Sequence, residues 1–107
     1  MKQLNIKLIC SDIDGTLLDK NRELSSKTKA VFSALKGNYP CVLISSRMPK
    51  SLRQLQAELG IHKDPIIAYN GSLILWEDQT LFSQEMPFSL LEKISEFQRI
   101  DQISNTF

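Results

Sequence analysis

The sequence predicts an α/β fold in which a parallel βαβαβ unit is followed by a β-hairpin and a final helix. Three observations carry that reading. Short apolar runs alternate with helix-periodic segments through the first seventy residues. Each apolar run stops at a polar or glycine-containing segment: Asp12-Ile13-Asp14-Gly15-Thr16, Ser45-Ser46-Arg47 and Asn70-Gly71. After Gly71 the pattern changes to two extended pieces around a short turn.

Taken in order, Ile6 to Ser11 is the first strand, expected to be covered on both faces because it is mostly apolar. Ser25-Ser26 caps a helix whose apolar side is Ala30, Val31, Ala34 and Leu35, and Gly37 stops it. Pro40 breaks the pattern before the second strand, Cys41 to Ile44. Pro49 suits the first turn of a second helix, in which Leu52, Leu55 and Leu59 repeat at helical spacing up to Gly60. Pro65 to Tyr69 is the third strand. Ser72 to Trp76 and Thr80 to Gln84 flank Glu77-Asp78-Gln79 as an antiparallel hairpin. Ser89 to Glu92 has capping-box spacing for a last helix with Leu90, Leu91, Ile94 and Phe97 as its stripe, followed by a polar tail from Asp101 to Phe107. Trp76, Phe82 and Phe88 are expected to pack between hairpin and helix.

The chain has 107 residues, 42% of them apolar and 23% charged, which suits one small globular domain. Thirteen basic against twelve acidic side chains leave a charge of +1, so no net field selects nucleic acid or anionic lipid. No apolar run is long enough to span a bilayer and the start lacks the apolar core of a signal peptide, so the expected location is the cytoplasm. Cys10 and Cys41 lie inside apolar runs and read as buried thiols in a reducing compartment. A single histidine, His62, argues against zinc and reads as a loop residue.

In a parallel sheet wound with right-handed crossovers, the ligand site lies beyond the carboxyl ends of the strands, where the three polar segments gather. Asp12 and Asp14 are two residues apart, so with strand geometry their side chains leave on one side and share a small site. Two such carboxylates repel unless a cation or shared proton intervenes, and an all-oxygen site suits Mg²⁺. Gly15 lets the chain approach a ligand, and the Thr16 hydroxyl can fix the loop.

The run Leu8-Ile9-Cys10-Ser11-Asp12-Ile13-Asp14-Gly15-Thr16-Leu17-Leu18 resembles the first signature of the haloacid dehalogenase superfamily, an apolar strand followed by Asp-x-Asp-Gly-Thr. The later segments look most like its Cof-type sugar-phosphate phosphatases. The resemblance implies a partial Rossmann-like core over residues 1–71, with 72–107, hairpin plus helix, as the start of a cap hinged at Asn70-Gly71. It also implies that Asp12 is a nucleophile forming an aspartyl-phosphate, and Asp14 the acid for the leaving oxygen and then the base for water. Mg²⁺ would sit on the Asp12 side chain, the Asp14 carbonyl and a later acidic residue. Ser45 falls at the hydroxyl that holds a phosphoryl oxygen, and Arg47 at the arginine of Thr-Gly-Arg-Pro, with Gly15 and Thr16 completing the phosphate loop. Ser46 stands where the family has glycine and Met48 separates Arg47 from Pro49, which leaves the backbone less freedom there. Without the resemblance, Ser45 reads as a hydroxyl bonding its own backbone and Arg47 as a surface cation.

The family's later lysine and acidic signatures have no counterpart here, since Asp78, Glu92, Glu96 and Asp101 follow no parallel strand. The expectation is therefore a Mg²⁺-dependent phosphohydrolase of small phosphorylated metabolites, impaired in this short chain. The alternative is a non-catalytic remnant or fragment that binds Mg²⁺ or phosphate weakly. A phosphoacceptor receiver domain would need an aspartate after the third strand, where this chain has Asn70. If the first strand lies open at the sheet edge, self-association through that edge or through the unfinished cap is also expected.

Overall fold

The computed structural model describes the backbone of residues 5–105 and the side chains of residues 5–98. Five strands form one sheet in chain order: β1 (Ile9–Asp12), β2 (Cys41–Ile44), β3 (Ile66–Ala68), β4 (Leu73–Trp76) and β5 (Gln79–Ser83). β1, β2 and β3 are parallel, and β4 and β5 add antiparallel. The helices are α1 (Ser26–Leu35), α2 (Pro49–Leu59) and α3 (Phe88–Asn105). The βαβαβ unit and the hairpin are thus as expected, and the hairpin continues the sheet of residues 1–71.

Register explains how the site is assembled. Asp12 pairs with Ile44, and Ile44 with Ile67, so the carboxyl ends of the three parallel strands are level. The segments that follow them must meet.

Both crossover helices lie on one face of the sheet. Phe32 of α1 and Leu52 and Leu59 of α2 join Cys41, Leu43, Ile66 and Ala68 in one core, with Ile9, Leu73 and Leu75 packed against it. Two successive right-handed crossovers moving in the same direction along the sheet must put their helices on the same side. Among the described residues the first strand is therefore covered by helices on one face and not on both. Ile9 and Ser11 are half-buried, while Ile6, Leu8 and Cys10 are exposed. Cys41 is buried as expected, but Cys10 is not, because its side chain leaves on the face without helices. Among the described residues β1 pairs only with β2, which leaves it at the sheet edge.

α1 departs from its expected face. Ser25 caps it, its hydroxyl accepting from the Thr28 N–H at 3.1 Å. Yet the residue driven into the core is Phe32, with Leu35 beside it, while Ala30, Val31 and Ala34 are exposed. Phe32 has the largest apolar side chain of α1, so burying it gains the most from any single position, and it sets the rotation of the helix. In α2 the expected leucines do face inward, and Gly60 ends the helix in the left-handed region at φ 73°.

The hairpin turn is the two residues Glu77 and Asp78, since Trp76 pairs with Gln79. α3 starts before the capping box, with the Pro87 carbonyl accepting from the Leu90 and Leu91 N–H groups, and its backbone continues to Asn105 through most of the segment expected as a tail. Trp76, Phe82 and Phe88 are exposed and do not pack between hairpin and helix. The Trp76 indole instead donates to the Lys63 carbonyl at 2.9 Å, an anchor on the α2–β3 loop. No helix among the described residues is long and apolar enough to cross a membrane.

Phe32→Ala is expected to cost about 3 kcal/mol or more in urea unfolding, whereas Val31→Lys should stay within about 0.5 kcal/mol. Equal costs would overturn the assigned helix face.

Candidate active site

β1 delivers Asp12 as its last residue, exposed on the face without helices. Ile13 then turns wholly into the core, and Asp14 comes back to solvent with its side chain 52% exposed. The chain closes on itself at once, because the Ile13 carbonyl accepts from the Thr16, Leu17 and Leu18 N–H groups at 3.3, 2.9 and 3.1 Å. Gly15 makes that reversal at φ 76°, where a side chain would be strained. The Thr16 hydroxyl approaches the Asp12 carboxylate at 3.5 Å, the outer limit of a hydrogen bond, in the loop-fixing position expected of it.

The second segment reaches the first through Arg47. Its Nη2 and Nε donate to the two Asp14 oxygens at 2.6 and 3.0 Å, and its Nη1 donates to the Ser51 hydroxyl at 3.0 Å. A bidentate fork matches a carboxylate and fixes the guanidinium plane. Arg47 is therefore no free surface cation. Ser51, in the first turn of α2, is bonded to Arg47 and was missed by motif reading; Arg47 precedes the extended N-cap Met48, so no helical spacing pointed to the pair.

Ser45 is 5% exposed, and its Oγ accepts from the Arg47 N–H at 3.1 Å. The bond to neighbouring backbone is as expected of this hydroxyl; it uses the oxygen as acceptor and leaves the hydroxyl hydrogen to donate. Ser46 is not among the residues with positive φ, so replacing glycine there carries no backbone strain. The third segment docks on the second: the Asn70 N–H donates to the Ser45 carbonyl at 2.9 Å and the Tyr69 N–H to the Arg47 carbonyl at 3.1 Å. Asn70 and Gly71, expected as a hinge, turn in the left-handed region at φ 55° and 98°.

The hydrogen bonds from Arg47 hold the Asp14 carboxyl below its ordinary pKa of 3.8; burial opposes them in part, and the charges of Arg47 and then Arg22 add smaller lowering effects. The same bonds raise Arg47. Elsewhere, burial first and the Asp64 charge second push the Cys41 thiol up, which suits an inert core residue.

As for a cation, the Asp12 carboxylate and the Asp14 carbonyl are hard oxygen donors of the type Mg²⁺ takes, and Asp12 carries only the long contact from Thr16. The donor set fits Mg²⁺ with water and substrate oxygens making up the rest. Among the described residues no group of three or more acidic, His or Cys side chains gathers to hold a metal unaided.

A carboxyl held low in the fold contributes stability above its unfolded pKa and loses it as pH falls through the folded value. The Asp14 carboxyl carbon is therefore expected to titrate below 3.8 by NMR and to return towards that value in Arg47→Gln. An unchanged midpoint in the variant would remove Arg47 as the cause.

Comparison with known proteins bears on the same residues. A family model described as haloacid dehalogenase-like hydrolase matches residues 9–107. The chain is 30% identical over 92 residues to the Bacillus subtilis (strain 168) protein named "Putative phosphatase YkrA", covering 85% of this chain and 35% of that protein. A haloacid dehalogenase-like hydrolase from Bacteroides thetaiotaomicron superposes with a TM-score of 0.80 at 26% identity, over 90% of this chain and 38% of the other. TM0651 from Thermotoga maritima superposes at 0.77 with 29% identity, over 87% and 35%. The chain thus spans about a third of the length of these relatives. The family model's match over residues 9–107, nearly the whole chain, makes this chain a member of the haloacid dehalogenase-like hydrolase family.

Proposed function

We propose that this chain carries the nucleophile side of a Mg²⁺-dependent phosphohydrolase acting on small phosphorylated metabolites, sugar phosphates among them. The observation that supports it is the meeting of Asp14, two residues past a solvent-facing Asp12 and one past a buried Ile13, with Arg47, which lies 33 positions away and whose N–H donates to the Ser45 hydroxyl oxygen. A structural loop has no need to gather two carboxylates, a hydroxyl and a forked cation at the carboxyl end of a parallel sheet.

In this reading an Asp12 oxygen attacks phosphorus, an aspartyl-phosphate forms, and the bond to the leaving oxygen breaks with a proton supplied by Asp14. Water then attacks the phosphorus, gives its proton to Asp14 and releases phosphate, restoring Asp12. Mg²⁺, held by the Asp12 carboxylate and the Asp14 carbonyl, would screen the charge between nucleophile and phosphate. Arg47 keeps Asp14 ionised while the pair persists. A phosphoryl group brings more negative charge than one carboxylate, so it competes for the same guanidinium. Moving Arg47 onto phosphoryl oxygens leaves Asp14 free to hold the proton it must donate. The Ser45 hydroxyl donates to a further phosphoryl oxygen.

Acting alone, these residues supply fewer charged groups than phosphoryl transfer uses, and turnover several powers of ten below that of a complete site is expected. The absence of a three-acid cluster among the described residues also favours a second reading, a non-catalytic piece that binds phosphate weakly. Self-association is supported by the open edge of β1, with Ile6, Leu8 and Cys10 exposed beside it.

Hydrolysis of an aryl phosphate with Mg²⁺ should be abolished by Asp12→Asn; activity that survives that substitution defeats the mechanism. No activity, but amide shifts at Ser45 and Arg47 on adding inorganic phosphate, would select the second reading. Sedimentation at high concentration is expected to show association, and a clean monomer would remove the edge as an interface.

A further inference from the structure

The turn between β3 and β4 holds three consecutive left-handed residues, Tyr69 at φ 50°, Asn70 at 55° and Gly71 at 98°. Asparagine and glycine are at home in that region, but a bulky aromatic is not. Tyr69 is nonetheless held there, its N–H bonded to the Arg47 carbonyl and its own carbonyl accepting from the Ser72 N–H at 3.2 Å. The ring contributes nothing to the core cluster and is 47% exposed. Strained residues of this kind persist where surrounding structure forces them, and they concentrate at ligand sites.

Its surroundings say what the ring can do. Tyr69 is fastened to the residue that grips Asp14, and Met48, next in sequence to Arg47, is 54% exposed as well. Two exposed, polarizable apolar side chains therefore flank a cluster that is otherwise charged and polar. A phosphate ion alone has no use for such a flank.

We propose that Tyr69 is a specificity-determining residue, its ring forming the wall against which the leaving group of a ring-bearing phosphate monoester stacks. This rests on the phosphate-site reading above. The phosphoryl group goes to Ser45 and Arg47, and the remainder of the ester extends along the next segment of chain, which begins at Tyr69. An open-chain ester of the same charge makes the polar contacts but offers no flat face to the ring.

The test is titration of the 107-residue chain with phenyl phosphate and with glycerol phosphate, followed by amide shifts at Ser45, Arg47 and Tyr69. Phenyl phosphate is expected to bind about fivefold tighter, the worth of one aromatic stack. Tyr69→Phe keeps that preference, and Tyr69→Ala abolishes it without changing the affinity for glycerol phosphate. Tyr69→Gly, which suits the left-handed backbone, is expected to melt no lower than wild type and still lose the preference, which separates recognition from folding. A preference that survives in Tyr69→Ala overturns the assignment. So does equal binding of both esters by wild type at the Ser45 and Arg47 amides, while leaving the phosphate site standing. If neither ester shifts those amides, the phosphate site and the role of Tyr69 fall together.

Discussion

Ile13 has no exposed surface, and the residues on both sides of it are the two aspartates. Its side chain is drawn into the core while its carbonyl gathers three N–H groups of the returning chain, so it pins the loop from both ends. A backbone that must bury one residue in the course of leaving a strand must expose the residues before and after it. Asp12 and Asp14 are exposed for that reason, and apolar burial, the strongest favourable force in the fold, holds the two carboxylates out in solvent.

The level ends of β1, β2 and β3 supply the second requirement. Because Asp12, Ile44 and Ile67 lie in register, two residues past β1 and three past β2 is where an arginine can close on a carboxylate. The resulting pair is too exposed to add much stability, so its significance is positional. Arg47 is committed at its fork, at its remaining Nη, at its N–H and at its carbonyl, and these bonds run to all three strand-end segments and to α2. Few positions are left for it except Asp14 or an anion lying close by.

The core has a one-sided character. α1 and α2 cover the face made by Cys41, Leu43, Ile66 and Ala68, and the opposite face carries Val42, Ile44, Ile67 and Ile74 in the alternate positions of the same strands. Val42 is shielded by its neighbours, the other three are half-buried, and Cys10 and Phe82 at the flanks are exposed. Parallel strands normally bury both faces, and the mostly apolar composition of β2 and β3 follows that rule even where no described helix lies over them.

Periodicity, turn residues and one dense motif made the strand and helix order legible, because those signals are local: a capping serine, a proline at a first turn, a glycine at a left-handed stop, two aspartates on one strand end. The sequence by itself determined the family, the βαβαβ unit and hairpin, and the placing of Asp12, Asp14, Ser45 and Arg47 at the carboxyl ends of neighbouring strands. What it left undecided was every question of rotation and partnership. Which side of α1 is buried depended on a single phenylalanine competing with three smaller residues. That Arg47 grips Asp14, that Ser51 steadies it, and that Tyr69 is bent into the left-handed region beside it were decided by the tertiary structure alone. The physical reason is that these contacts join residues whose separation in sequence carries no period, and only the register of a folded sheet brings them within a hydrogen bond of each other.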